Sequence, residues 1–179
     1  MRIAVLGGSL RKDSLNLRLL NHLVATLEAQ GHTVRAIHGE TLRLPLYDAD
    51  LPVPAAASAL QGLLQGNQGL ILVSPEYNAG IPPHLKNAVD WVSTLANPIA
   101  GLPVLLAAAS PGAFGGARAL LSWRPVLANL GALVLPAVIT VPLADQSLDP
   151  LGAPRDPRAQ QALGKALAAF LALANRLGV

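Results

Sequence analysis

A recurring pair constrains this chain more than any other feature. A short, mostly apolar run stops at a loop rich in Gly, Ser or Pro, and a stretch with helical spacing follows. Arg2-Ile3-Ala4-Val5-Leu6-Gly7 opens the series. Residues 69–74 and 103–109 repeat it, and 132–141 close it, with Pro136 predicting a bulge or bend. Runs of this kind read as strands buried on both faces. Residues 32–38 instead alternate polar and apolar side chains, which suits a strand nearer a sheet edge. Leu17, Leu20, Val24 and Leu27 recur at helical spacing over residues 16–30, until Gly31 stops the helix. Residues 55–65 read as a short helix, 82–95 as a helix with Pro in its first turn, and 113–130 as a helix ended by Gly131. Leu163, Leu167, Phe170, Leu171, Ala174 and Leu177 form one stripe of a C-terminal amphipathic helix. Residues 40–54 read as loop, and 145–157 as a surface crossover.

Strand and helix thus alternate from end to end. Alternation of this kind implies a parallel sheet with helices on both faces. Five strands in 179 residues predict an α/β, flavodoxin-like three-layer sandwich. Its five-stranded parallel sheet would run in the order 2-1-3-4-5, within one domain spanning residues 1–179.

Composition removes several functions. Charged residues make up 13% of the chain, against about 25% in an average protein. With a net charge of +3, this argues against disorder and against a nucleic-acid binder that works by charge. The absence of Cys excludes a disulfide scaffold, a thiolate zinc site, a cysteine nucleophile and an iron–sulfur cluster. The segments from Asp90 to Arg118 and from Arg124 to Asp145 carry no charge between their ends. Asn97-Pro98, Pro103, Ser110-Pro111-Gly112, Gly131, Pro136 and Pro142 cut them below the length of a spanning helix. The first apolar run is too short for a signal peptide, so a cytoplasmic protein is expected.

In an open α/β sheet, ligands bind beyond the carboxyl ends of the strands. Three unusual loops leave strands one, three and four. In the first, Ser9, Arg11, Ser14 and Asn16 run into a helix N-terminus, where free N–H groups and the helix dipole favour an anion. That donor set suits a phosphate. The plainer alternative makes Ser14 or Asn16 a simple cap and Arg11 a solvated charge. In the second, Pro75, Glu76, Tyr77 and Asn78 form a rigid exit along which a planar, partly apolar ligand could lie. Alternatively, Tyr77 packs the loop and Glu76 caps. In the third, Ser110, Pro111, Gly112 and Gly115 allow close backbone approach. Arg118 stands near a helix start, unfavourable against the dipole unless an anion or partner compensates.

Three motifs now stand together. They are Gly-Ser-Leu-Arg-x-x-Ser-x-Asn at 8–16, Pro-Glu-Tyr-Asn with Leu-Lys-Asn-Ala-x-Asp-Trp at 75–91, and Ser-Pro-Gly-x-x-Gly-Gly-x-Arg at 110–118. In this order the chain resembles the NADPH-dependent FMN reductase family over roughly residues 1–145. The resemblance implies that Ser9, Arg11, Ser14 and Asn16 hold the FMN phosphate, with Leu15 contributing backbone. It implies that Pro75, Glu76, Tyr77 and Asn78 run beside the isoalloxazine, and that Ser110, Pro111 and Gly112 close its other side, with Gly115 and Arg118 nearby. NAD(P)H would be the co-substrate, passing a hydride to bound FMN. A small-molecule acceptor (quinone, azo dye, metal oxyanion or free flavin) would then take the electrons in a ping-pong cycle. The flavin carries that chemistry, so no side chain need act as base or nucleophile. A homodimer or homotetramer is implied, with no nucleic acid and no membrane span. The alternatives are a flavodoxin-like electron carrier and a flavin-binding regulatory domain without turnover. Trp91 and Trp123 either anchor a dimer face or fill the core, and His84 either lines the mouth of the site or sits on a helix surface.

Overall fold

Strand β1 (Arg2–Gly7) buries Ile3, Ala4, Val5 and Leu6 because it is central and helices cover both faces of the sheet. The computed structural model describes residues 1–178. It pairs β1 with β2 (Thr33–His38) and β3 (Gly69–Val73), then β3 with β4 (Pro103–Ala109) and β4 with β5 (Leu133–Val141). Every pairing is parallel, and the order is β2-β1-β3-β4-β5. The alternating strand β2 is indeed an edge, and β1, β3 and β4 lie inside. Strand β5, an apolar run read as buried on both faces, is instead the opposite edge and leaves Leu133 and Val138 exposed.

Because side chains alternate across a strand, the sheet splits its apolar residues between two faces. Ile3, Val5, Ile71, Val73 and Leu105 pack with Leu19, Leu23 and Leu27 of α1 (Leu15–Ala29) and Leu163, Leu167 and Phe170 of α6 (Pro157–Leu177). On this face Gly69 lets the Phe170 ring press onto the strand; a Cβ there would lie 2.5 Å from it. Ala4, Leu6, Leu70, Leu72, Val104 and Leu106 face the other three helices. These contribute Leu60 and Leu64 from α2 (Ala55–Leu64), Leu85, Ala88 and Val92 from α3 (Pro83–Ser93), and Leu120 and Trp123 from α4 (Ala117–Asn129). No helix of the described residues is long and apolar enough to cross a membrane.

Four local features depart from or refine the sequence expectations. Helix α4 begins at Ala117 rather than 113, because Gly115 and Gly116 take φ of 58° and 84°, left-handed values that end the preceding turn. At Pro136 the register slips: Val104 pairs Val134 but Leu106 pairs Val138, so three β5 residues oppose one on β4. Pro lacks the N–H a ladder needs, and Arg124 donates to the Leu135 and Pro136 carbonyls (3.0 and 2.8 Å) instead. Residues 145–157 are docked rather than draped. They hold the short helix α5 (Ala144–Ser147), bury Leu148, and set Gly152 at φ 87° so close to Arg18 that a Cβ would land on its carbonyl.

The fourth concerns the two indoles. Both fill the core, and the dimer-face alternative is corrected: Trp91 is 1% and Trp123 0% exposed. Trp91 donates to the Pro45 carbonyl (2.7 Å) and meets Tyr47 edge-on. With Asn87, which accepts from the Tyr47 N–H at 2.7 Å, it pins residues 44–47 onto α3. Trp123 donates to Ser74 Oγ (2.9 Å), just where β3 ends.

Candidate functional site

The carboxyl ends of β1, β3 and β4 sit side by side, so their three loops open on one edge of the sheet. Loop one leaves β1 at Gly8, whose N–H donates to Val73 (2.9 Å). Ser14 caps α1, its Oγ accepting from the Leu17 N–H at 3.3 Å. The N–H groups of Leu15 and Asn16 lie in the first turn, where no intrahelical carbonyl reaches them. Asn16 holds Ala109 at both ends of its amide: Nδ2 donates to the carbonyl (2.7 Å), and Oδ1 accepts from the N–H (2.9 Å). Its side chain therefore bolts the start of α1 to the end of β4. Arg11 is exposed and forms no ion pair among the described residues.

Loop two is a tight hairpin. Tyr77 and Gly80 exchange two backbone hydrogen bonds (3.0 and 2.9 Å), with Asn78 and Ala79 at its tip. Both tip residues have positive φ, 48° and 63°. Asn tolerates that region, but Ala pays about 1–2 kcal/mol for it. Ala79→Gly is expected to raise the unfolding free energy by about 0.5–1 kcal/mol, the relief of that strain less the entropy glycine adds to the unfolded chain. A higher urea midpoint at constant slope checks it.

Glu76 and Arg118 join loops two and three. Arg118 donates from Nε (2.8 Å) and Nη2 (2.5 Å) to Glu76 Oε1, while Oε2 accepts from the Arg118 backbone N–H (3.1 Å). The carboxylate, its side chain only 10% exposed, thus caps α4 and balances the guanidinium placed against the dipole. Arg118 also lies over the Phe114 ring, 5.3 Å from its centre. In loop three, Ser110 Oγ accepts from the Gly112 N–H at 3.1 Å.

Between the loops lies an open cleft of about 130 Å³. Loop one lines it with Ser9, Arg11, Ser14, Leu15 and Asn16, and loop two with Pro75, Glu76 and Tyr77. Ala109, Ser110 and Pro111 line it from the end of β4 and loop three.

The family model for NADPH-dependent FMN reductase matches residues 1–146. The chain belongs to that family. Among curated relatives, a quinone reductase of Escherichia coli K12 is 37% identical over 142 residues, covering 75% of this chain and 73% of its own. An NAD(P)H-dependent FMN reductase of Pseudomonas aeruginosa is 32% identical, covering 98% of this chain and 97% of its own. Among solved structures, the flavoenzyme NAD(P)H:(acceptor) oxidoreductase FerB of Paracoccus denitrificans superposes with a TM-score of 0.84. It is 26% identical, covering 98% of this chain and 97% of its own. A flavodoxin of Pseudomonas aeruginosa, 15% identical with a TM-score of 0.58 and full coverage of both chains, shares the fold.

Ten of the fourteen site residues singled out in this FMN reductase family member's sequence line the cleft. Asn78 is at the exposed hairpin tip, Gly112 is exposed, Gly115 is buried against Val141 and Pro142, and Arg118 is turned onto Glu76. Ala109 was missed. It offers only backbone at the last position of a strand, and nothing in its side chain marks it.

Proposed function

We propose that this oxidoreductase holds FMN in the cleft between loops one, two and three, with the phosphate at the Arg11 end and the ring between Tyr77 and Pro111. The observation that carries the reading is the sorting of chemistry along one cleft. Loop one brings hydroxyls, free helix N–H groups and a guanidinium with no ion-pair partner among the described residues, and loops two and three bring Tyr and Pro surfaces. That donor set fits a phosphate ester, because donors at a helix N-terminus favour an anion. The carboxylate that lines the cleft, Glu76, is neutralised by Arg118 and does not oppose it.

Bound FMN supplies hydride acceptance from NAD(P)H and electron delivery to a quinone, azo dye, metal oxyanion or free flavin. The chain's own part is positional. Ser9 and Ser14 hydroxyls and the Leu15 and Asn16 N–H groups orient the phosphate. Asn16 keeps those groups aimed by clamping α1 to β4. Tyr77, 40% exposed at the cleft, would border the slot that a nicotinamide and then an acceptor use in turn. A shared slot means ping-pong kinetics. The exposed apolar residues Phe114 and Leu121, on loop three and α4, suit the interface of a homodimer or homotetramer, and the cytoplasm is the proposed location.

The purified protein should be yellow, or turn so with FMN, and should oxidise NAD(P)H with a quinone or ferricyanide. Double-reciprocal plots at several acceptor concentrations should give parallel lines. Intersecting lines would overturn the shared slot. Turnover only with an added reductase would favour the carrier, and a colourless, FMN-indifferent protein would refute the cofactor site.

A further inference from the structure

His84 stands in the first turn of α3, just past loop two, and its Nε2 lies 2.8 Å from the carbonyl oxygen of Gly8 in loop one. A carbonyl only accepts, so the ring nitrogen carries the hydrogen and donates it. The imidazole is half-buried, and its ring centre is 6.0 Å from that of Tyr77, the planes tilted by 54°. Gly8 is held from its other side too. Its N–H is bound to Val73, and a Cβ on it would strike Leu85 and come within 3.2 Å of Pro75 Cδ.

The three loops are therefore joined in pairs. Asn16 ties loop one to the root of loop three, and Glu76 with Arg118 ties two to three. His84 supplies the side-chain tie between one and two. Its bond lands on the residue directly before Ser9 and three before Arg11, at the phosphate end of the cleft. Resting on the FMN reading of the cleft, we infer that His84 is a positioning residue for the cofactor's phosphate grip. It acts through the Gly8 carbonyl rather than by touching the ligand. Without the tie, loop one must be ordered at the moment of binding, and affinity falls by that cost.

The test titrates FMN and riboflavin, which lacks the phosphate, into apo wild type, His84→Phe and His84→Gln, following flavin fluorescence. Phe keeps ring volume without the donor, and Gln keeps an N–H donor. Thermal unfolding of each apo protein confirms folding, and His84→Met replaces the Phe variant should that fail to fold. His84→Phe should weaken FMN by about three- to ten-fold, the worth of one neutral hydrogen bond. Riboflavin should stay within about two-fold, and His84→Gln should recover most of the FMN loss. Unchanged FMN affinity in His84→Phe, a parallel loss for riboflavin, or a Gln variant as weak as Phe would each overturn the inference. A wild type that binds FMN no better than riboflavin would instead sink the reading of the cleft, a result separate from these three.

Discussion

Trp123→Ala is expected to lower the unfolding free energy by about 3–5 kcal/mol, the usual cost of emptying a large aromatic site in a packed core. For a chain of this length that corresponds to a fall of roughly 6–20 °C in Tm. Trp123 is 0% exposed and packs within the cluster shared by α2, α3, α4 and one sheet face. Its neighbours belong to different elements, so the space cannot close by moving one side chain. The indole N–H is also a partner of the buried Ser74 hydroxyl, which itself donates to the Pro75 carbonyl (2.9 Å). Trp123→Phe separates the two contributions: most of the volume stays and the hydrogen bond goes, for about 1 kcal/mol. Chemical denaturation of the three proteins measures both differences. An Ala variant within about 1 kcal/mol of wild type would mean that the indole is not packed in the core at all.

What the sequence made legible follows from how local each signal is. The strand β4 was readable to the residue, Pro103–Ala109, because burial on both faces leaves no polar position inside it. The order of strands followed from alternation, since parallel neighbours need a crossover helix. The start of α4 was not readable, because Gly115 and Gly116 adopt left-handed values that only the loop's packing reveals. Periodicity placed Trp91 and Trp123 on helix faces, but a face says nothing about whether core or partner covers it. The site shows the same limit. The unfavourable placement of Arg118 signalled a missing partner, but Glu76 lies 42 positions away. Asn16 was visible as a polar residue at a helix start, while its partner Ala109 lies 93 positions away and has no polar side chain. Residue types gave the donors; the ties that aim them are long-range and carry no local mark.

Arg11→Ala is expected to weaken FMN binding by about 1.5–3 kcal/mol, the worth of a hydrogen bond to a charged group, or about 10–150-fold. Arg11 lines the cleft, is exposed, and has no carboxylate partner among the described residues. Removing it therefore costs the fold little, and the loss should appear in affinity rather than in Tm. Because water and salt reach the guanidinium, the low end of that range is favoured, and the gap to wild type should narrow toward 1 M salt, where charges are screened within about 3 Å. Riboflavin affinity should not change, since no phosphate meets the side chain. Arg11→Lys should fall between the two, keeping the charge but losing the planar fork that grips two phosphate oxygens. Binding should survive in all three, because the Ser9 hydroxyl and the N–H groups at the start of α1 remain. Titration of FMN into the apo variants reads these differences, and an unchanged affinity in Arg11→Ala would place the phosphate away from loop one.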